Sequence, residues 1–168
     1  AWILIRDTGN YTKPRFPEGY ELRNFRDGID DEHWCDITND AFGHSLGHVR
    51  MTPERIKHWQ IDPCYIADGM KLLWFNDKPV ATLGMTKDDH NGEEIIFIDS
   101  IGVLNEYQGK GLGKNLLRAG IQYATEFGSP RVMLSVNGEN EKAADMYFRE
   151  GFKKEALYKN YHLDTTNK

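Results

Sequence analysis

Apolar positions along this chain recur with period two in some stretches and with period three to four in others, and the changes of period mark out its elements. Tyr20–Phe25, Met70–Phe75, Val80–Thr86, Ile95–Val103 and Val132–Val136 read as strands. Asn76-Asp77-Lys78-Pro79 joins the second and third as a hairpin, and Asp88–Glu93 reads as a polar turn before the fourth. Between the strands, Ile29, Trp34, Ile37 and Phe42 share one face of a helix predicted over Ile29–Phe42. Thr52-Pro53-Glu54-Arg55 opens a second helix, with a threonine cap, a proline at the first helical position and an acid in the first turn. A third helix carries Leu112, Leu116, Gly120/Ile121, Tyr123/Ala124 and Phe127 toward the core, puts Lys110, Lys114 and Arg118 opposite, and stops at Gly128-Ser129-Pro130. Asn140 caps a fourth helix that Gly151 terminates, and Phe152–Leu163 supplies one or two closing strands. The order β, α, α, β, β, β, α, β, α, β is that of one mixed α/β domain over residues 20–168, without repeats.

The first 19 residues fit this pattern less well. A short apolar start, Ala1-Trp2-Ile3-Leu4-Ile5, gives way to a stretch with Gly9, Asn10, Pro14, Pro17 and Gly19 that reads as a linker. Residues 1–19 are therefore expected to lie outside the domain, as the remnant of a preceding one.

Composition narrows the function without naming it. With 28% charged and 39% hydrophobic residues in 168, the chain can bury one core and is neither disordered nor fibrous. A net charge of −5 argues against nucleic acid as a partner and suits a cationic acceptor such as an amine. No apolar run approaches the ~20 residues that cross a bilayer, so no membrane partner and a cytoplasmic location are expected. Cys35 and Cys64 lack the CxxC spacing and do not make a disulfide framework.

The chemistry gathers after the strand Ile95–Val103, where glycines 109, 111 and 113 alternate with other residues at the mouth of a helix. A helix N-terminus has backbone N–H groups without intrahelical partners and carries partial positive charge, so it is a place for phosphate. Two well-known phosphate motifs fail here. A Walker A loop would need glycine where Gln108 stands and serine or threonine where Asn115 stands; the dinucleotide fingerprint would need glycine at Lys114. The residues present are Gln108-Gly109-Lys110-Gly111-Leu112-Gly113, followed about 30 residues on by Asn140-Glu141-Lys142-Ala143-Ala144-Asp145-Met146-Tyr147-Phe148-Arg149-Glu150-Gly151-Phe152.

These two segments, in this order with one strand between them, resemble the two signatures of the GCN5-related N-acetyltransferase (GNAT) superfamily. The resemblance implies the GNAT, or acyl-CoA N-acyltransferase, fold: a mixed central sheet flanked by helices. It also implies acetyl-CoA as cosubstrate, no metal, and transfer of the acetyl group to the primary amine of a small-molecule acceptor. A protein N-terminus or lysine as acceptor, and a non-catalytic acyl-CoA-binding module, remain open beside that. Within the superfamily the pattern is most similar to the C-terminal half of the mycothiol synthases, through Pro17–Arg23, Asn39–His44, Met85-Thr86-Lys87 and the run from Ile101 to Gly113. Fusion to a second GNAT domain, or a homodimer, fits that likeness.

The resemblance also assigns residues. Backbone groups from Gln108 through Gly109, Lys110, Gly111, Leu112 and Gly113 to Lys114 would hold the pyrophosphate, and Asn140 joins the coenzyme contacts. Lys110 and Lys114 are placed for phosphate charge, although a solvated helix face carries such lysines equally well. Ile101, Gly102 and Val103 would offer amides where the strand bulges from its neighbour. Tyr147 stands where the family's acid protonates the coenzyme sulfur. Asp99 is the lone carboxylate inside an apolar strand, where burial would raise its pKa into the range of a base; a hydrogen-bonded structural role is the alternative, with Glu93 or Glu94 acting through water as fallback. The family's acidic position on this strand falls at Phe97, two residues earlier. His44 and Lys87 would line the acceptor pocket. His44 and His48 have the spacing of a metal pair but sit between glycines 43 and 47, without the partner residues of a zinc site.

Overall fold

The computed structural model describes residues 2–45, 47–136 and 140–157. Its elements are β1 (Trp2–Asp7), β2 (Tyr20–Asn24), α1 (Asp31–Phe42), α2 (Pro53–Gln60), β3 (Met70–Phe75), β4 (Lys78–His90), β5 (Glu93–Val103), a 3-10 turn (Asn105–Tyr107), α3 (Leu112–Phe127), β6 (Arg131–Val136), α4 (Glu141–Arg149) and β7 (Lys153–Leu157). The strands form one sheet in the order β2-β3-β4-β5-β6-β1-β7. Only β5 and β6 run parallel; every other neighbouring pair is antiparallel.

The sheet has a core on each face. On one, α3 lays Leu112, Leu116, Leu117 and Ile121 against Leu83, Ile96 and Leu134. A Cβ on Gly120 would stand 2.6 Å from the Ile98 side chain, so this glycine brings α3 close to β5. On the other, Trp34, Ile37 and Ile56 of α1 and α2 pack on Leu72 and Trp74 of β3. Each of these large side chains stabilises the fold by ~1.5–3 kcal/mol when fully buried. The end of α3 follows the expected pattern: Gly128 takes φ +90° and its N–H turns back to the carbonyls of Ala124 and Thr125.

Two expectations need correction. The polar stretch Asp88–Glu93 is not a turn for most of its length. Asn91 and Gly92, with φ +54° and +83°, make the reversal alone, and the ladder runs on from Lys87↔Ile96 to His90↔Glu93. Backbone pairing needs no apolar side chains, so the projecting end of this hairpin lost its hydrophobic alternation and kept its strands.

The larger correction concerns residues 1–19. β1 is an interior strand, pairing Trp2–Asp7 with Val136–Arg131 on one side and with β7 on the other, and Leu4 is fully buried. The domain therefore takes in residues that the pattern placed outside it. Thr8–Gly19 is a strap across the α3 side rather than a free linker. Thr8 Oγ1 donates to Ser129 O at 2.6 Å, the N–H of Gly9 donates to Thr125 Oγ1 at 3.1 Å, and the N–H of Arg15 donates to Asn115 Oδ1 at 2.7 Å. Its glycines and prolines shape turns whose partners lie a hundred residues away, which no local pattern can show.

Candidate active site

The pairing of β5 with β6 covers only Ile96–Ile98 against Val132–Leu134, so from Asp99 onward β5 has no strand on that side among the described residues. At the same place its ladder with β4 slips. Gly84 faces Ser100 and Met85 faces Ile98, leaving Asp99 with no residue opposite. Asp99 is thus the extra residue of a β-bulge, a device that re-aims a side chain. It turns the carboxyl over Gly84, where a Cβ would come within 2.6 Å of Oδ1. The expected bulge is present but begins two residues before Ile101; Ile101, Gly102 and Val103 stay paired with β4 and lie beyond the end of the β6 pairing.

The Asp99 carboxyl opens into a cleft of about 260 Å³ between the sheet and the connection from α2 to β3. Trp34, Trp59 and Tyr65 give it aromatic walls, and Asp62, Asp88 and Lys87 supply charge near its mouth. Asp99 is open to this cleft, yet protein atoms surround it closely, and no side chain among the described residues pairs with it. Loss of bulk hydration disfavours the charged form, and the carboxyl is pushed up to about 6. The indole N–H of fully buried Trp34, on the cleft wall, also has no partner among the described residues.

On the far side of β5 the glycine loop takes the form its spacing implied. Gly109 and Gly111 adopt φ +81° and +77°, and α3 starts at Leu112 without a side-chain cap or an acid in its first turn. A Cβ on Gly109, Gly111 or Gly113 would meet no protein atom. The left-handed φ of Gly109 and Gly111 itself favours glycine, whereas neither φ nor crowding requires it at Gly113; together the three leave open the space in front of the first-turn N–H groups, which an anion can fill. Gln108 ties the loop back, its Nε2 donating to Val103 O at 3.1 Å and to Asn105 Oδ1 at 3.2 Å. Lys110 and Lys114 are exposed beside it, and Leu112 is a core residue. Arg118, expected on the same free basic face, instead forms a two-pronged pair with Glu150, at 2.6 and 3.1 Å, that joins α3 to the end of α4.

Tyr147 on α4 is half-buried, edge-on to Phe152 with ring centroids 6.2 Å apart. Its hydroxyl has no hydrogen-bond partner among the described residues, and burial raises its pKa, so the phenol keeps its proton at neutral pH. Asn140 is occupied as a cap: its Oδ1 accepts from the N–H of Ala143 at 3.2 Å.

The cleft gathers Asp99 and Lys87 but not the other residues expected near it. His44 lies exposed in the turn after α1 and is not on the cleft wall; His48 shares a hydrogen bond with Asn39 Oδ1 at 3.1 Å. Glu93 pairs with Arg131, and Glu94 is exposed at the hairpin end of β5, away from the cleft. The residues the pattern missed are Trp34, Trp59 and Tyr65, which periodicity reads as ordinary helix and loop positions, and Gly84. A glycine inside an apolar strand signals close approach, so Gly84 alone could have been found.

A mixed sheet whose two parallel strands part beside a glycine loop at a helix mouth defines the acyl-CoA N-acyltransferase type of α/β fold. The chain belongs to the acetyltransferase (GNAT) family, whose profile matches residues 31–152. It is 28% identical over 171 residues to a mycothiol acetyltransferase of Catenulispora acidiphila, covering 96% of this chain and 53% of that protein. Among solved structures it resembles a GCN5-related N-acetyltransferase from Sphaerobacter thermophilus, with TM-score 0.74 and 24% identity over 92% of this chain and 48% of the other. It also resembles Arabidopsis thaliana Naa50 in complex with the bisubstrate analogue CoA-Ac-MVNAL, with TM-score 0.62 and 23% identity over 80% and 83% of the two chains. The chain spans about half the length of the curated relatives it matches. No helix among the described residues is long and apolar enough to cross a membrane.

Proposed function

We propose that this chain transfers an acetyl group from acetyl-CoA to the primary amine of a small-molecule acceptor. The observation that carries the reading is Asp99: an unpaired carboxyl with a pKa near 6, turned by a bulge into a cleft, on the strand that leads into the glycine loop. Acetyl-CoA supplies the acetyl group as a reactive thioester. The open cradle at Gly109, Gly111 and Gly113 fits its pyrophosphate, with Lys110 and Lys114 beside it. Asp99 accepts the proton of the attacking amine as the C–N bond forms. Tyr147 gives a proton to the sulfur as the C–S bond breaks, which leaves the amide and free coenzyme A. Within Ile101–Val103, N–H groups that point away from β4, on the side where β6 has parted, are available to the developing oxyanion. Lys87 orients the acceptor from the cleft wall.

The small acceptor rests on the size of the cleft and on the mycothiol acetyltransferase relatives. A peptide acceptor is favoured by one likeness, that to Naa50 with its peptide-bearing analogue. The deciding experiment measures acetyl-CoA turnover against a panel of small primary amines and of short peptides with free N-termini. Turnover with small amines alone is the expected result. Turnover with peptides alone would replace the acceptor. Acetyl-CoA binding without turnover on either panel would leave a non-catalytic acyl-CoA module.

A further inference from the structure

The chain as a whole is acidic, with a net charge of −5, yet the glycine loop and the strap together carry four lysines and arginines against one acid, Glu18. Lys110 and Lys114 flank the loop itself, and two further cations, Lys13 and Arg15, belong to the strap that crosses α3. All four are exposed, and none is in an ion pair among the described residues. The strap is joined to the loop through Asn115, one turn into α3 and only 8% exposed. Its Oδ1 accepts the N–H of Arg15 at 2.7 Å, and its Nδ2 donates to the carbonyl of Gly111 at 2.9 Å, a carbonyl that also receives the backbone N–H of Asn115. The backbone of Arg15 is therefore one carboxamide and two hydrogen bonds from the residue that opens the helix.

Both halves of this bridge have consequences for an anion. Occupying the Gly111 carbonyl fixes the plane of the peptide that leads into the first turn, and so the direction of the N–H groups there. Occupying the Arg15 N–H fixes where that side chain starts, between Pro14 and Phe16, the latter packed against the core. Pro14 narrows the backbone further by restricting φ. A long guanidinium side chain anchored at its base beside a phosphate cradle can reach the phosphates, and its planar fork suits them better than an ammonium.

We propose that the strap is one wall of the coenzyme site and that Arg15, held in place by Asn115, binds the phosphates of acetyl-CoA. This rests on the acetyl-CoA reading above and extends the site to residues outside both glycine-loop and α4 signatures. The coenzyme is a strong polyanion, with a pyrophosphate and a separate ribose phosphate, so a fourfold cationic rim in an acidic protein has a ligand of matching charge.

Calorimetric titration of the full chain with acetyl-CoA tests it, using Arg15→Ala, Arg15→Lys and, as a surface control, Lys57→Ala on exposed α2. Arg15→Ala is expected to weaken acetyl-CoA about tenfold, Arg15→Lys by less, and Lys57→Ala not at all. Melting of the unliganded proteins should be the same for all four, since Arg15 makes no side-chain contact among the described residues that the fold needs. Repeating the titration with dephospho-CoA separates the phosphates: a loss that persists assigns Arg15 to the pyrophosphate, and one that vanishes assigns it to the ribose phosphate. Wild-type binding with Arg15→Ala equal to it would overturn the strap's role and leave the coenzyme reading intact. No wild-type binding would overturn the coenzyme reading and the strap's role with it.

Discussion

The two sides of the candidate site are made of different material. On the proposed coenzyme side the groups on offer are main-chain N–H groups at Gly109–Lys114, and side chains matter mainly by being absent. On the acceptor side the groups are side chains drawn from α1, the α2–β3 connection, β4 and β5, around one carboxyl re-aimed by a bulge. A site of amides is specified by glycine spacing within one segment, and tolerates change in what surrounds it. A site of side chains is specified by which distant elements meet, and changes with any of them.

That contrast predicts which measurements each side should move. The largest effect is expected from Asp99→Asn, a loss of roughly 10²–10⁴ in kcat with acetyl-CoA affinity unchanged. The wild-type rate should rise with pH through about 6 as the carboxyl ionises, and that limb should vanish in the variant. Stability should move the other way. The folded chain holds the Asp99 proton more tightly than the unfolded chain does, so the stability tied to this group is full below about pH 4 and lost as pH rises through about 6. Asp99→Asn should therefore melt above the wild type at pH 7, with the gap closing toward pH 4. A variant that melts lower at pH 7 would mean the carboxylate is a structural acceptor after all.

Next in size, Tyr147→Phe should cost about ten- to a hundredfold in kcat, because a thiolate leaves more readily than most groups and needs its acid less. Unchanged turnover would remove Tyr147 from the chemistry. Gly113→Val fills the cradle, so acetyl-CoA affinity should fall about tenfold or more while unliganded melting shifts by only a few degrees, since the new Cβ meets no protein atom. Gly84→Ala should have the smallest effect, several-fold in kcat/KM for the acceptor, by pushing the Asp99 carboxyl off a position 2.6 Å from the new Cβ. If Gly113→Val altered the acceptor KM instead, or Gly84→Ala the coenzyme affinity, the division between the two sides would be wrong.

The same division explains what was legible in the sequence. The glycine loop, α3, α4 with Tyr147, and Asp99 as a lone acid in an apolar strand are local patterns, and each lies on the element that the pattern assigned to it. The walls of the cleft at Asp99 were not legible. Asp62 and Tyr65 lie in a connection where no period applies, Trp59 is an ordinary position of α2, and His44, favoured by its neighbourhood in sequence, stands away from the cleft. The strap was misread for a related reason. Prolines and glycines report that the backbone turns, and only the partners on Asn115, Thr125 and Ser129 show that it is held.

One further consequence follows from the position of β1. Its ladder joins Trp2 to Val136 and, on the other side, Ile3 to Ala156, so the first strand synthesised among these elements waits for partners that leave the ribosome near the end. Contacts of such long sequence separation form slowly, since the closure entropy of the whole intervening chain comes before any reward. Until β6 emerges, an apolar segment with unpaired N–H and C=O groups is open to the wrong neighbour. The β2–β5 half, in which α1 and α2 join β2 to β3 and two hairpins follow, can be complete by then. The nascent chain thus passes through a stage in which half the sheet is finished while the other half depends on β1 still being free.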